Sequence, residues 1–143
     1  MRKLGLLMVF CAVITACGKD NSSGIPVASV QLNLPMTDPR ISKLNSIGGA
    51  VFLDLNQGYT GSVAGLVLYH GTGGIVAFDR CSSYQPELKH AVVSDGSGFN
   101  ALDTYSGSKF SLQDGSPTKA PATKSLRAYY VYVDGSQVLH VTN

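Results

Sequence analysis

Short runs of alternating apolar and polar residues, separated by turn signals, make up most of the chain after residue 26. Val30, Leu32 and Leu34 occupy every second position, which is the period of a half-buried strand. Pairs such as Asp114-Gly115 and Asp134-Gly135 are typical of tight turns between strands. Since long amphipathic helical patterns are missing from this part of the sequence, we predict an all-β domain.

This region is predicted to contain five or six hairpin-like units, and three of them can be assigned as β-hairpins from the sequence. The first has a glycine-rich connection at 71–74, a residue type that tolerates positive φ, and its glycines do not precede a helix that could bind phosphate. A single helical turn is predicted over 41–46. The predicted hairpins are 65–79, 91–102 and 128–141. Together they favour an antiparallel sandwich or barrel of short strands.

The first sixteen residues are typical of a secretion signal. Arg2 and Lys3 precede an apolar run from Leu4 to Ala16, the usual order of such a signal. As a helix this run would rise about 20 Å, which is short of the roughly 30 Å hydrocarbon core of a bilayer. We therefore predict a targeting segment at 1–16, not a transmembrane anchor.

Ile14-Thr15-Ala16-Cys17 resembles a lipobox, in which the cysteine is acylated and becomes the first residue of the mature protein. This predicts lipid attachment at Cys17, a polar tether over 17–26 and a folded domain over 27–143. The alternative is an ordinary signal peptide that ends near Ala16. Because Gly18 follows the cysteine, the sequence is similar to lipoproteins of the bacterial cell envelope that are sorted to the outer membrane.

The charge of the chain excludes a nucleic-acid partner. The formal net charge of +2 comes from Arg2 and Lys3, and the rest of the chain is balanced. A neutral domain lacks the basic footprint that phosphate backbones require.

The stretch Thr104–Leu126 carries the most specific motif. Gly107-Ser108-Lys109-Phe110, then Asp114-Gly115, then Ala120-Pro121-Ala122 resemble the second cluster-binding loop of Rieske iron–sulfur domains. In that family the loop reads Cys-x-x-His-Gly-Ser-x-Phe, then Asp-Gly, then Gly-Pro-Ala. The resemblance implies a Rieske-like β domain with two loops at the cluster site.

Only one of the four metal-ligand positions implied by this resemblance keeps its family residue. These positions are Cys81, Ser83, Asp103 and Ser106. A Rieske cluster needs two thiolates and two imidazoles, and neither serine nor aspartate suits the iron of a sulfide cluster. We therefore expect no metal and no cofactor, and predict a degenerate, cluster-free domain that is not an enzyme and serves a binding or structural role.

Two alternatives with metal remain open. One is an electron-transfer protein that holds a 2Fe-2S cluster, as Rieske ferredoxins do. The other is a mononuclear site built from Cys81, His90 and Asp103. A hydrolase is disfavoured, because the chain has no Gly-x-Ser-x-Gly elbow.

Four tyrosines are candidates for a binding surface: Tyr84, Tyr105, Tyr130 and Tyr132. The alternative is that they only cover the sheet. In a strand, Tyr130 and Tyr132 would share one face and Tyr129 the other. An exposed pair could bind a glycan or a protein, since tyrosine combines rigid contact area with a polar tip. Tyr84 and Tyr105 fall in the two predicted loops, where we expect their rings, with Phe99 or Phe110, to fill the volume of the missing cluster.

Overall fold

The strands of the domain form two antiparallel sheets, one of six strands and one of four. The computed structural model describes residues 23–143, so the predicted signal, Cys17 and the first part of the predicted tether lie outside the described residues. The strands are β1 (Gln31–Pro35), β2 (Ala50–Leu53), β3 (Leu66–Gly71), β4 (Gly74–Asp79), β5 (Val93–Ser94), β6 (Asn100–Leu102), β7 (Lys109–Ser111), β8 (Pro117–Lys119), β9 (Ala128–Val133) and β10 (Val138–Thr142).

The larger sheet has the strand order β1-β10-β9-β4-β3-β2, and the smaller has the order β5-β6-β7-β8. Two short 3₁₀ segments, Pro39–Asn45 and Pro86–Leu88, complete the secondary structure. The predicted all-β antiparallel class is therefore confirmed, and so is the helical turn near Ile41. Within the described residues, no helix has the length and apolar character needed to cross a membrane.

All three predicted hairpins form. Gly71 pairs with Gly74 at the end of β3 and β4, Val93 pairs with Leu102, and β9 pairs with β10. The alternation predicted for β1 is also observed, because Leu32 and Leu34 are buried and their neighbours are exposed. Local turn chemistry was sufficient to locate these elements.

Two apolar clusters fill the interior. The first lies inside the larger sheet and contains Leu32, Leu66, Leu68, Leu139 and Val141 among others. The second lies between the two sheets and is centred on Phe110, the largest fully buried side chain. Burial of one such side chain stabilises the fold by about 1.5–3 kcal/mol, so the second cluster attaches the smaller sheet firmly to the larger one.

The packed part of the chain begins ahead of the predicted boundary at Val27. Ser23 and Ile25 are both buried, and Ile25 packs with Ala64 and Cys81. The last residues of the predicted tether are thus part of the domain. Ile25 was not predicted to be buried, because the segment around it is mostly polar.

Candidate functional site: three hydrogen-bonded loops

Three loops meet at the end of the molecule where the sequence motif predicts a cluster site. The first follows β4 and is closed by a bridge between Cys81 and Ala91. The second, between β6 and β7, is closed by the Asp103 N–H bond to the Ser108 carbonyl (2.9 Å). The third, which we call the proline loop, is residues 120–126 and carries the cis Ala120-Pro121 bond.

The second loop turns at Gly107. Its φ of +79° lies in the left-handed region that favours glycine, and its N–H donates to the Asp103 carbonyl (2.8 Å). This turn brings Ser106 and Ser108 back over Asp103. The Gly-Ser part of the motif therefore has a structural role that is independent of any metal.

Asp103 is fully buried at the centre of the second loop. Its carboxylate accepts hydrogen bonds from the Ser106 hydroxyl (2.7 Å) and the Tyr105 N–H (3.0 Å). Burial by itself would raise the pKa of Asp103, but hydrogen bonds from Ser106, Ser82 and the backbone outweigh it and hold the pKa below its usual value. Asp103 is therefore ionised at neutral pH, and its charge is stabilised by hydrogen-bond donors from the first and second loops.

Serine hydroxyls join the first and second loops to the proline loop. Ser83 Oγ donates to the Lys124 carbonyl (2.5 Å), and Ser108 Oγ accepts from the Ala122 N–H (3.0 Å). Ser106 Oγ also lies 2.8 Å from Ser108 Oγ. The first and second loops are thus each connected to the proline loop by a side-chain hydrogen bond, and the Ser106–Ser108 bond lies within the second loop.

Cys81 is fully buried and lies in a small apolar cluster with Ile25 and Ala64. Burial, followed by the nearby negative charge of Asp79, raises the pKa of the Cys81 thiol to about 12. Its Sγ approaches the carbonyl oxygens of Ser82 and Pro86, each at 3.6 Å. Such a thiol stays protonated at neutral pH, whereas a metal ligand must be a thiolate.

These side chains do not fit a two-iron cluster. The hydroxyls of Ser83 and Ser106 are used in hydrogen bonds between and within the loops, and a serine would have to lose its proton to bind iron. Asp103 is a hard oxygen donor. Among residues 23–143, no three His, Cys, Asp or Glu side chains are grouped so that they could hold a metal ion, and that includes the mononuclear alternative at Cys81, His90 and Asp103.

His90 and Tyr105 link the first and second loops directly. Their rings stack with centroids 4.2 Å apart and planes 12° apart. Tyr105 nevertheless remains 59% exposed, so its ring covers the outside of the loops. Tyr84 is half-buried and packs against the cluster around Phe110.

Phe99 does not fill the space at the loops. It is exposed and lines a surface depression with Ile47, Tyr69 and Thr72. Hydrogen-bonded serines and Asp103 occupy the loop junction where aromatic rings were expected. These compact polar groups can be buried at the junction because they satisfy one another's hydrogen-bonding capacity.

Sequence reasoning missed Asp79, a fully buried carboxylate at the end of β4. It accepts from the backbone N–H groups of Val63 (2.6 Å), Ala64 (3.1 Å) and Cys81 (2.8 Å). The hydroxyl of Tyr129 donates a fourth bond (2.8 Å). An acidic residue at the end of an otherwise apolar strand was the only available signal.

Tyr130 and Tyr132 lie on the outer face of β9, as predicted, and are 64% and 44% exposed. The Tyr132 ring stacks on His140 with centroids 4.6 Å apart, and Tyr130 lies 5.7 Å from Tyr132. His140 is held in turn by Asn33 (2.7 Å) and Asp134 (2.9 Å). This tyrosine ladder, Tyr130 and Tyr132, is therefore an exposed pair in which one ring is held in place by its stack on His140.

Comparison with known proteins finds similarity only in three-dimensional structure. No family model matches the chain, and no curated protein matches it. The crystal structure of the plasma membrane Rieske protein PetC3 from the cyanobacterium Synechocystis PCC 6803 is 17% identical, with a TM-score of 0.54 over 78% of this chain and 99% of that one. A chain from the complex of reduced oxygenase and oxidized ferredoxin in carbazole 1,9a-dioxygenase is 17% identical, with a TM-score of 0.50 over 78% and 92%.

At these identities the likeness concerns the fold and does not extend to activity. This likeness in fold agrees with the positions of the first and second loops, which the sequence motif assigned to a cluster site and which contact each other in the structure. The part of the chain that the structure describes therefore has a Rieske-like fold.

Proposed function

We propose that this protein is a lipid-anchored component of the bacterial cell envelope whose Rieske-like domain works without an iron–sulfur cluster, in a binding or structural role and not as an enzyme. The observation that supports this most is the use of the ligand positions. The side-chain oxygen of Ser83 bonds to the proline loop, and those of Asp103 and Ser106 bond within the second loop.

A cluster in a Rieske domain both carries electrons and cross-links the two loops that bind it. Here hydrogen bonds join each of these loops to the proline loop, and the stacked rings of His90 and Tyr105 join them to each other, so the loops have their shape without the cofactor. Under this proposal the domain has no redox centre that could carry electrons, so its function depends on its surface.

The alternative is a 2Fe-2S electron-transfer protein, and metal analysis separates the two. Protein purified anaerobically should be colourless and should lack stoichiometric iron and acid-labile sulfide. A Rieske ferredoxin expressed and purified in parallel controls for cluster loss during handling. Stoichiometric iron and sulfide in this protein would reject the cluster-free proposal.

Anchoring through Cys17 has its own test. The variant Cys17→Ser should be released from the membrane fraction, because several acyl chains are needed for stable attachment and each buried methylene contributes about 0.8 kcal/mol. Fractionation on a density gradient would then locate the wild type in the outer or inner membrane. Unchanged membrane association of Cys17→Ser would reject acylation.

The exposed tyrosine ladder supports a second candidate, a surface that binds a glycan or a protein. Its side chains are oriented by stacking and by the bonds to His140, which lowers the entropy lost on binding. Wild-type protein and the double variant Tyr130→Ala, Tyr132→Ala should be compared on a glycan array. Binding that disappears in a variant with an unchanged melting temperature supports this candidate, and no binding by the wild type rejects a glycan ligand.

A further inference from the structure

The chain enters the domain beside the three loops. Ser23 and Ile25 are buried, and the guanidinium of Arg127 donates to the Ile25 carbonyl. A Cβ atom placed on Gly24 would lie 3.7 Å from Lys124 Nζ in the proline loop and 3.8 Å from Pro86 Cγ in the first loop. The point of entry is therefore fixed against two of the loops.

Little chain separates this entry point from Cys17. Residues 18–22 lie between Cys17 and Ser23, and even a fully extended chain could bridge them over only about 20 Å. A domain of this size is about 35 Å across. A lipid anchor at Cys17 would therefore hold the loop end nearer to the bilayer than the opposite end.

The surface at this end has the chemistry of a membrane interface. We call it the loop face and define it as Pro86–His90, Tyr105 and residues 119–125. It exposes Leu88, which is 47% accessible, and Tyr105. Exposed lysines at 89, 119 and 124 outnumber the one acidic residue, Glu87. Lysines are attracted to anionic headgroups, and tyrosine suits the headgroup layer.

We propose that the loop face rests on the anionic headgroups of the membrane that carries the Cys17 anchor. This inference rests on the acylation proposed above. Lys89 and Lys124 contact phosphate groups, and Leu88 and Tyr105 enter the headgroup layer. The Rieske-like loops, with no cluster to present to a redox partner, then serve as a second, weaker membrane contact.

Fluorescence quenching tests this orientation with full-length acylated protein. Leu88→Cys places a label on the loop face, and Ser136→Cys places one on the exposed β9–β10 turn. That turn lies at the other end of β9 from Arg127, about 20 Å away. Cys81 is buried and should not take up the label. The vesicles contain phosphatidylethanolamine, phosphatidylglycerol and a lipid with a nitroxide headgroup.

We expect quenching several-fold stronger at position 88 than at position 136. Equal or weaker quenching at position 88, in protein that still floats with the vesicles, would overturn the orientation and leave the anchor intact. Protein that fails to float would overturn the acylation and the orientation together. These two failures are therefore distinguishable.

Charge reversal tests the headgroup contact itself. In the labelled Leu88→Cys protein, Lys89→Glu combined with Lys124→Glu should weaken quenching in anionic vesicles. Lys43→Glu is the matched control, because Lys43 is exposed on the first 3₁₀ segment. Quenching that is insensitive to the paired reversal, or reduced equally by Lys43→Glu, would overturn the proposed contact.

Discussion

Ser106 Oγ donates a hydrogen bond to Asp103 Oδ2 over 2.7 Å, so the two residues at the second loop's ligand positions bind each other. In a Rieske domain these positions would point at the two irons. Here the pair closes the loop on itself, and Ser108 extends the contact to the Ala122 N–H of the proline loop. The same backbone frame therefore supports a polar network in place of a metal centre.

Asp103→Asn should destabilise the domain by about 1–3 kcal/mol, because a buried carboxylate that accepts several hydrogen bonds is replaced by an amide that cannot accept all of them. Urea unfolding followed by circular dichroism measures the change. Asp114→Asn is the control, since Asp114 makes the same kind of bonds to Ser116 at an exposed turn. Equal losses in the two variants would contradict a central role for Asp103.

The pH dependence of stability should also report on Asp103. Its folded-state pKa is lowered, so the stabilisation is present above the unfolded value of about 4 and is lost as the pH falls through the folded pKa. The stability difference between wild type and Asp103→Asn should therefore shrink below about pH 4. Unfolding curves at a series of pH values, down to about pH 2, measure it.

That comparison isolates one carboxylate from the others. Asp38 and Asp95 are two further carboxyl groups with lowered pKa values. In these two the pKa is lowered to about 2, chiefly by side-chain hydrogen bonds from Arg40 and Ser97, respectively. Both are present in wild type and variant, so their contributions cancel in the difference. A difference that stays constant over the acidic range would contradict the expected ionisation of Asp103.

Tyr129→Phe should cost about 1.5–3 kcal/mol, because it removes the hydroxyl donor from the buried Asp79 carboxylate. Burial and the charge of Asp79 raise the pKa of Tyr129, so the hydroxyl remains protonated and able to donate. Tyr130→Phe is the matched control on the exposed face of the same strand and should change stability by less than about 0.5 kcal/mol. Thermal melting of both variants measures whether the loss of stability is specific to Tyr129→Phe.

The Cys81 thiol should not react with Ellman's reagent in the folded protein. It is fully buried, and its pKa is raised to about 12, so both access and thiolate are lacking. The same thiol should react promptly after unfolding in urea. Ser136→Cys supplies an exposed thiol as a positive control. Rapid reaction of native Cys17→Ser protein cleaved after its signal, in which Cys81 is the remaining cysteine, would show that Cys81 is accessible.

The sequence alone predicted the β class, the positions of the three hairpins and the two loops of the cluster type. The β class and the hairpins follow from neighbouring residues, because alternation sets which side chains face the core and glycine or Asp-Gly pairs set the turns. The two loops were predicted from the resemblance to Rieske domains. It also predicted that the two tyrosines of β9 share one face. It did not predict Ile25 as a docked residue, or Asp79 and Asp103 as buried, hydrogen-bonded carboxylates.

Those features depend on segments that only the tertiary structure brings together. His140 and Asn33 are hydrogen-bonded although 107 positions separate them, and Ile25 meets Arg127 across 102 positions. Whether a polar side chain is buried with its partners or exposed to water depends on strand pairing across the whole chain. The sequence thus determined that the loops exist, and the packing of the two sheets decided that serines and an aspartate would hold them together.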